Sequence, residues 1–170
     1  MLFRSYGENA TLNGAAYTTT NSAFSVGGTT TLANNATVSS GTGNVTFTGA
    51  VDGGQALVVN STGATLFSAA VGGTTALSSL TTNAGGSVTL QNVTTSGAQS
   101  YGENATLNGA AYTTTNSAFS VGGTTSLTNN ATVSSGTGNV TFTGAVDGGK
   151  DLVVNSTGAT LFSEIGRAHV

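Results

Sequence analysis

GNVTFTGAVDGG, residues 43–54, and GATLFSAAVGG, residues 63–73, are two versions of one pattern set 20 residues apart, with Phe47 matching Phe67. Similar strand cores recur along the chain at steps of 20, 15, 20, 23 and 17 residues, which average 19. They lie at Thr11-Leu12, Thr31-Leu32, Thr46-Phe47, Leu66-Phe67, Thr89-Leu90 and Thr106-Leu107. A short period of this kind is typical of solenoids, in which each turn of chain stacks on the previous one.

Within NVTFTGAV the apolar residues alternate with polar ones at a period of two. Val45, Phe47 and Val51 are therefore predicted to face inward, and Thr46 and Thr48 outward, as in a half-buried strand. Glycine pairs separate the strands and are expected to supply the positive φ of tight corners. They are Gly27-Gly28, Gly53-Gly54, Gly72-Gly73 and Gly85-Gly86.

A second, longer repeat contains the short one. Residues 5–68 match residues 100–163 at an offset of 95, and only four positions differ. The differing pairs are Thr31/Ser126, Ala33/Thr128, Gln55/Lys150 and Ala56/Asp151. Copies this similar indicate an array of repeated units.

The two periods together predict an all-β fold, a right-handed parallel β-helix of about nine coils with roughly 19 residues per coil. Thr and Val favour extended backbone, and no helical periodicity is present. Small inner residues (Ala, Val, Thr) suggest a narrow core. The alternative is a tandem of two immunoglobulin-like sandwiches, because 95 residues is close to the size of that domain. The internal 20-residue similarity and the absence of Trp favour the β-helix.

The composition restricts the classes of partner. Charged residues make up 5% of the chain, the net charge is −3, and no Cys or Pro is present. We therefore predict no nucleic-acid binding and, since no long apolar stretch exists, no membrane insertion. The N-terminal MLFRS leads directly into a polar repeat, so no signal peptide is predicted.

Both ends depart from the repeat. IGRAHV, residues 165–170, resembles one translated frame of a short-read sequencing adapter, and MLFRS resembles its reverse complement. We therefore divide the chain into a non-native leader (1–5), a first solenoid repeat (6–99), a partial second repeat (100–163) and a non-native tail (164–170), with the two repeats forming one continuous solenoid. On this reading Arg4, Glu164, Arg167 and His169 carry no function.

The sequence predicts no enzyme and no catalytic, cofactor-binding or metal-binding residue. Without His169 the repeats contain no His or Cys, so the usual general base, nucleophile activator and metal ligands are missing. Asp52-Gly53-Gly54 is interpreted as a turn, with a calcium loop as the alternative. GAVDGGKD, residues 144–151, resembles a phosphate-binding loop but has Asp151 where a hydroxyl is needed, so we interpret it as chance.

Aromatic and hydroxyl side chains raise two further alternatives. Tyr6, Tyr17, Tyr101 and Tyr112 could stack on sugars, although packing at coil edges is the simpler interpretation. Thr46 and Thr48 resemble the paired threonines of ice-binding solenoids, but the pair occurs once per repeat. Nine Asn-x-Ser/Thr sequons, Asn44 and Asn60 among them, are formal glycosylation acceptors if the protein is exported.

VGGTTALSSLTTNAGGSVTL (71–90) and TTSGAQSYGENATL (94–107) resemble the repeat region of filamentous haemagglutinin-like, two-partner-secretion and autotransporter adhesins of bacteria. The resemblance spans residues 6–163. It implies a secreted or cell-surface location and a structural role in the shaft of a large adhesin, which extends a binding region from the cell. A glycan-binding face is the alternative function, and a polysaccharide-cleaving enzyme is a third class. Host or surface glycans or proteins are the implied partners of the full-length protein, and uncapped strand edges predict end-to-end self-association.

Overall fold

Parallel strands account for nearly all regular structure in the computed structural model, which describes residues 4–166. No helix occurs within that range. Each turn of the chain contributes one strand, in most coils, to each of three faces, and every strand pairs in parallel with strands one coil below and above. The fold is therefore a β-solenoid, and the immunoglobulin-like alternative is wrong.

The strands of each face follow one another along the solenoid. Face 1 contains β1 (Arg4–Tyr6), β4 (Phe24–Val26), β7 (Val45–Phe47), β10 (Ala64–Phe67), β12 (Ser87–Leu90), β15 (Asn104–Leu107) and β18 (Thr125–Leu127). Face 2 contains β2 (Ala10–Leu12), β5 (Thr30–Leu32), β8 (Val51–Asp52), β13 (Val93–Thr95), β16 (Ala111–Thr114), β19 (Ala131–Gly136) and β21 (Leu152–Ser156). Face 3 contains β3 (Ala16–Thr18), β6 (Ala36–Gly41), β9 (Ala56–Ser61), β11 (Ser79–Thr82), β14 (Gln99–Tyr101) and β17 (Phe119–Val121).

Two long strands bend round the corner from face 3 to face 1. They are β20 (Val140–Asp147) and β22 (Thr160–Ile165). Val140 lies over Phe119 on face 3, whereas Val146 lies over Thr125 on face 1. This bend joins faces 1 and 3 into one sheet of 15 strands.

The coils are slightly longer and fewer than predicted. Strands on one face are offset by 20 or 21 residues over most of the chain, as in Arg4 beneath Phe24 and Phe24 beneath Val45. The described chain forms about 8 turns of ~20 residues each, so the expectation of nine coils of 19 is wrong in number. The step of 15 between Leu32 and Phe47 joins residues on faces 2 and 1, and including it lowered the average.

The fourth coil contains an insertion on face 2. Val71 pairs with Val93 and Leu77 pairs with Thr95, so residues 72–76 bulge out opposite the single residue Thr94. Gly72 begins this bulge at φ +69, and a Cβ there would collide with the carbonyl oxygen of Thr94. The next coil is shorter, since Ser87 pairs with Asn104, 17 residues later.

The 95-residue repeat does not contain a whole number of coils. Phe24 lies on face 1 of the second coil, and its equivalent Phe119 lies on face 3 of the sixth. One repeat thus spans four complete coils and two of the three faces of the next. Identical sequence consequently lies on a different face in each copy.

The core is continuous through both repeats and contains large aromatic side chains. Phe24, Phe47 and Phe67 form a ladder with ring centroids 5.9 and 5.2 Å apart, and Phe119, Phe142 and Phe162 form its equivalent at 5.6 and 5.1 Å. The core therefore holds more than the small residues expected from the composition. The predicted inward Val45, Phe47 and Val51 are each no more than 1% exposed, which confirms the alternation.

The glycine pairs serve two different purposes. Gly53, Gly54, Gly72, Gly85 and Gly86 have positive φ, as predicted. Gly27, Gly28 and Gly73 do not, so the prediction is wrong there. At Gly27 and Gly28 the reason for glycine is close stacking, because a Cβ at Gly27 would lie 2.6 Å from the carbonyl oxygen of Gly7 in the coil below.

The ladder extends into both segments that the sequence analysis separates from the repeats. Ser5 pairs with Ser25, and Glu164 and Ile165 pair with Ala145 and Val146. The boundaries at 5/6 and 163/164 stay predictions. Arg167 and His169 lie outside the described residues.

Candidate functional site

Asparagine side chains connect successive coils at the corners. The Oδ1 atom of Asn44 accepts a hydrogen bond from the backbone N–H of Ala64 at 2.9 Å, and Asn139 binds Ala159 in the same way at 2.9 Å. Seven of the nine sequon asparagines accept a backbone N–H of the neighbouring coil in this manner. They are Asn9, Asn35, Asn44, Asn92, Asn104, Asn130 and Asn139. These side chains thus satisfy corner N–H groups that the sheets leave unpaired.

The remaining two sequon asparagines, Asn60 and Asn155, lie on outward-facing strand positions. Both are exposed and, within the described part of the chain, their side chains make no hydrogen bond. Asn60 lies in a shallow groove of about 210 Å³ on face 3. The groove is lined by Ser39, Gly41, Asn60, Ser61, Thr62 and Asn83. Its lining is neutral and polar, which suits a neutral, hydroxyl-rich ligand better than an ion.

The tyrosines do not form a sugar-binding surface. Tyr101 and Tyr112 are at most 1% exposed, Tyr17 is buried, and Tyr6 is half-buried against the Phe24 ring. Burial raises the pKa of Tyr101 and Tyr112 above the usual phenol range. The structure supports core packing for these rings, and the hypothesis that they stack on sugars is wrong for the three buried ones.

The acidic residues stay apart. Within residues 4–166 no three His, Cys, Asp or Glu side chains lie close enough to hold a metal ion together. The Oδ1 atom of Asp52 accepts the N–H groups of Thr74 and Thr75 at 2.8 and 2.9 Å, so this carboxylate caps the 72–76 bulge. Asp147, its equivalent, accepts the N–H of Gly148 at 2.8 Å. Both interactions are those expected of turn aspartates.

Gln99 is the centre of a buried polar network at the junction between the repeats. Its Nε2 atom donates to the carbonyl oxygen of Thr113 at 2.9 Å and to that of Val93 at 3.3 Å. Its Oε1 atom accepts from the Tyr101 hydroxyl at 3.1 Å. The amide thereby links face 3 to face 2 across the core, because all of its buried polar atoms require partners.

Glu103 is the buried acid of the described chain. It lies at the corner between β14 and β15 and is 4% exposed, although its repeat equivalent Glu8 is exposed. Its Oε2 atom has no hydrogen-bond partner, and the buried hydroxyl of Thr82 is also unpaired. Burial raises the pKa of Glu103 to about 7, because an ionised carboxylate is poorly solvated there.

The sequence analysis missed both Gln99 and Glu103, yet a signal for them was present. The alternation that places Leu107 and Ala105 inward continues backwards through Glu103, Tyr101 and Gln99, all of which are buried. Polar residue types concealed this continuation of the period-two pattern. Treating Glu8 and Glu103 as one repeat position also concealed their different burial.

Comparisons with protein-family models, with curated proteins and with solved structures found no match. The search of the described residues for a helix that is long and apolar enough to cross a membrane also found none.

Proposed function

We propose that this chain is a segment of the shaft of a large exported bacterial surface adhesin, located at the cell surface or secreted, where it holds a binding region away from the cell. The repeat resemblance supplies the class of protein. The supporting observation is that stacking continues without a break through the repeat boundary. Gln99 pairs with Leu80 below and with Phe119 above, so the two repeats form one solenoid.

This continuity makes length a simple function of repeat number. Four and two-thirds coils at about 4.8 Å per coil add about 22 Å for each repeat. Every coil binds the next through ladders on its faces and through the shared core, so a longer array remains one rod. The proposal assigns no reaction to the chain, and cleavage of any polysaccharide by the purified protein would contradict that part of it.

The shaft proposal is tested by measuring height. Arrays of one, two and three 95-residue units are placed between a cell-surface anchor and a fluorescent tip, and the distance of the tip from the membrane is measured. We expect an increase of about 22 Å per unit. A control array joined by flexible Gly-Ser linkers of equal residue number should give no such linear increase. A tip height independent of unit number would overturn the proposal.

Binding of a neutral glycan in the Asn60 groove is a second candidate function. It is favoured by the unpaired Asn60 amide within a groove that has no charged lining residue. Glycan-array binding that is lost in Asn60→Ala and kept in Asn44→Ala would support it. Equal binding by both variants, or none by the unmodified protein, would remove this candidate and leave the shaft proposal unchanged.

A further inference from the structure

We propose that Glu103 is a proton-binding site at the repeat junction, and that the folded solenoid accommodates its neutral carboxylic acid in preference to the carboxylate. The inference does not depend on the proposed function. It rests on the enclosure of this side chain and on the nature of its neighbours.

Two neighbouring coils enclose the corner that carries Glu103. Below it, the N–H of Gly102 donates to the carbonyl oxygen of Thr82 at 3.0 Å. Above it, the N–H of Gly123 donates to the carbonyl oxygen of Glu103 itself at 3.2 Å. Cβ atoms at these two glycines would lie 2.7 Å from the Ala84 nitrogen and 2.6 Å from the Glu103 carbonyl carbon, so both contacts are close.

The surroundings offer no charge that would stabilise a carboxylate. Strands β11 and β12 below and β17 and β18 above contain no Asp, Glu, His, Lys, Arg or Tyr, and the turns that follow β11 and β17 contain none either. The titratable side chain on the same element is Tyr101, whose hydroxyl donates to Gln99, and Tyr112 across the core donates to the carbonyl oxygen of Leu90. An ionised, unpaired carboxylate in such a site costs far more than a neutral acid.

The neutral acid also has a function that the carboxylate lacks. A protonated carboxyl group carries an O–H donor, and the buried Thr82 oxygen is an unpaired acceptor beneath it. Protonation would therefore pair two groups that are otherwise unsatisfied.

Glu8 provides an internal control from the same repeat position. Its carbonyl oxygen accepts the N–H of Gly28 at 3.2 Å, as that of Glu103 accepts the N–H of Gly123. It lies in the first described coil, and its side chain is exposed. Sequence and upper contact are shared, so the difference between the two acids arises from the coil beneath Glu103.

The sign of the pH effect follows from the direction of the shift. The pKa of Glu103 is raised in the folded protein from 4.5 to about 7, so the folded state binds the proton more tightly than the unfolded state. Stability is therefore highest below pH 4.5 with respect to this group, and it falls as the pH rises towards and past 7. The difference corresponds to roughly a 10²-fold change in the folding equilibrium constant.

The test compares Glu103→Gln with Glu8→Gln in the full chain. We measure urea unfolding from pH 5 to pH 8 and, in the unmodified protein, titrate the Glu103 carboxyl carbon by NMR. We expect Glu103→Gln to lose most of the pH dependence and Glu8→Gln to keep it, with an NMR midpoint near 7. An unchanged pH dependence in Glu103→Gln would overturn the proposal. Should that variant fail to fold, an NMR midpoint near 4.5 in the unmodified protein would overturn it equally.

Discussion

Phe47 and Phe142 occupy the same position of the 95-residue repeat, yet Phe47 lies on face 1 and Phe142 on face 3. Both are fully buried, and each stacks on the next phenylalanine of its ladder with ring planes 6° apart. The local packing of the repeat is thus conserved while its direction around the solenoid changes. Three repeats are needed before a given residue returns to the same face, so an array displays each surface feature in three directions.

Cysteine cross-linking will test this rotation. Ser100 and Ser120 are neighbours on face 3, with hydroxyl oxygens 3.3 Å apart. Adjacent strands are about 4.8 Å apart, which is within the range that a disulfide spans. We expect Ser100→Cys with Ser120→Cys to form an intramolecular disulfide on oxidation, measured by mass spectrometry. The control pair, Ser5→Cys with Ser100→Cys, matches in repeat position but should remain reduced; a cross-link there would refute the assignment of faces.

Removing a central ring should destabilise the whole rod. Phe119 is fully buried and its ring lies 5.8 Å from Tyr101, 6.2 Å from Tyr112 and 5.6 Å from Phe142. We expect Phe119→Ala to lower the free energy of unfolding by about 3–5 kcal/mol, because a cavity replaces these contacts. Phe162→Ala, at a half-buried position, should cost clearly less in the same urea titration. Equal losses would mean that the core does not narrow in importance towards that end.

The corner asparagines should contribute to stability by their hydrogen bonds. Asn44 accepts the N–H of Ala64 at 2.9 Å, whereas Asn60 makes no side-chain hydrogen bond. We expect Asn44→Ala to cost about 1 kcal/mol and Asn60→Ala less than about 0.5 kcal/mol in thermal or urea unfolding. Both residues belong to Asn-x-Thr sequons, so the comparison separates structural caps from exposed acceptors. A larger loss for Asn60→Ala would show that the groove, and not the corner, holds the coils.

The network around Gln99 should behave as a unit. Gln99→Leu leaves the Tyr101 hydroxyl and the Thr113 carbonyl oxygen without their partner, and each buried unpaired group costs about 1–3 kcal/mol. In the background of Tyr101→Phe the same substitution should cost less, because one of those groups is already gone. A double-mutant cycle of unfolding free energies measures this coupling. Strictly additive losses would contradict the hydrogen bond between the two side chains.

Much of the architecture was predictable from local pattern. The alternation in NVTFTGAV predicts which side of the strand is buried, since successive side chains point to opposite faces of any strand. The similarity of residues 43–54 to residues 63–73 predicts stacked coils. The candidate site was less predictable, because the groove at Asn60 and the enclosure of Glu103 depend on which residues lie one coil away.

The sequence by itself determined that the chain is a stacked β-solenoid with Val and Phe inside and Thr and Asn outside, because the period-two alternation and the glycine corners are local properties. Only the tertiary structure decided on which face each repeat lies and which acid is buried. Those outcomes depend on the total number of residues in every preceding coil, including the bulge at 72–76 and the shorter coil after it. Identical residues such as Glu8 and Glu103 therefore differ in burial for a reason that neither contains.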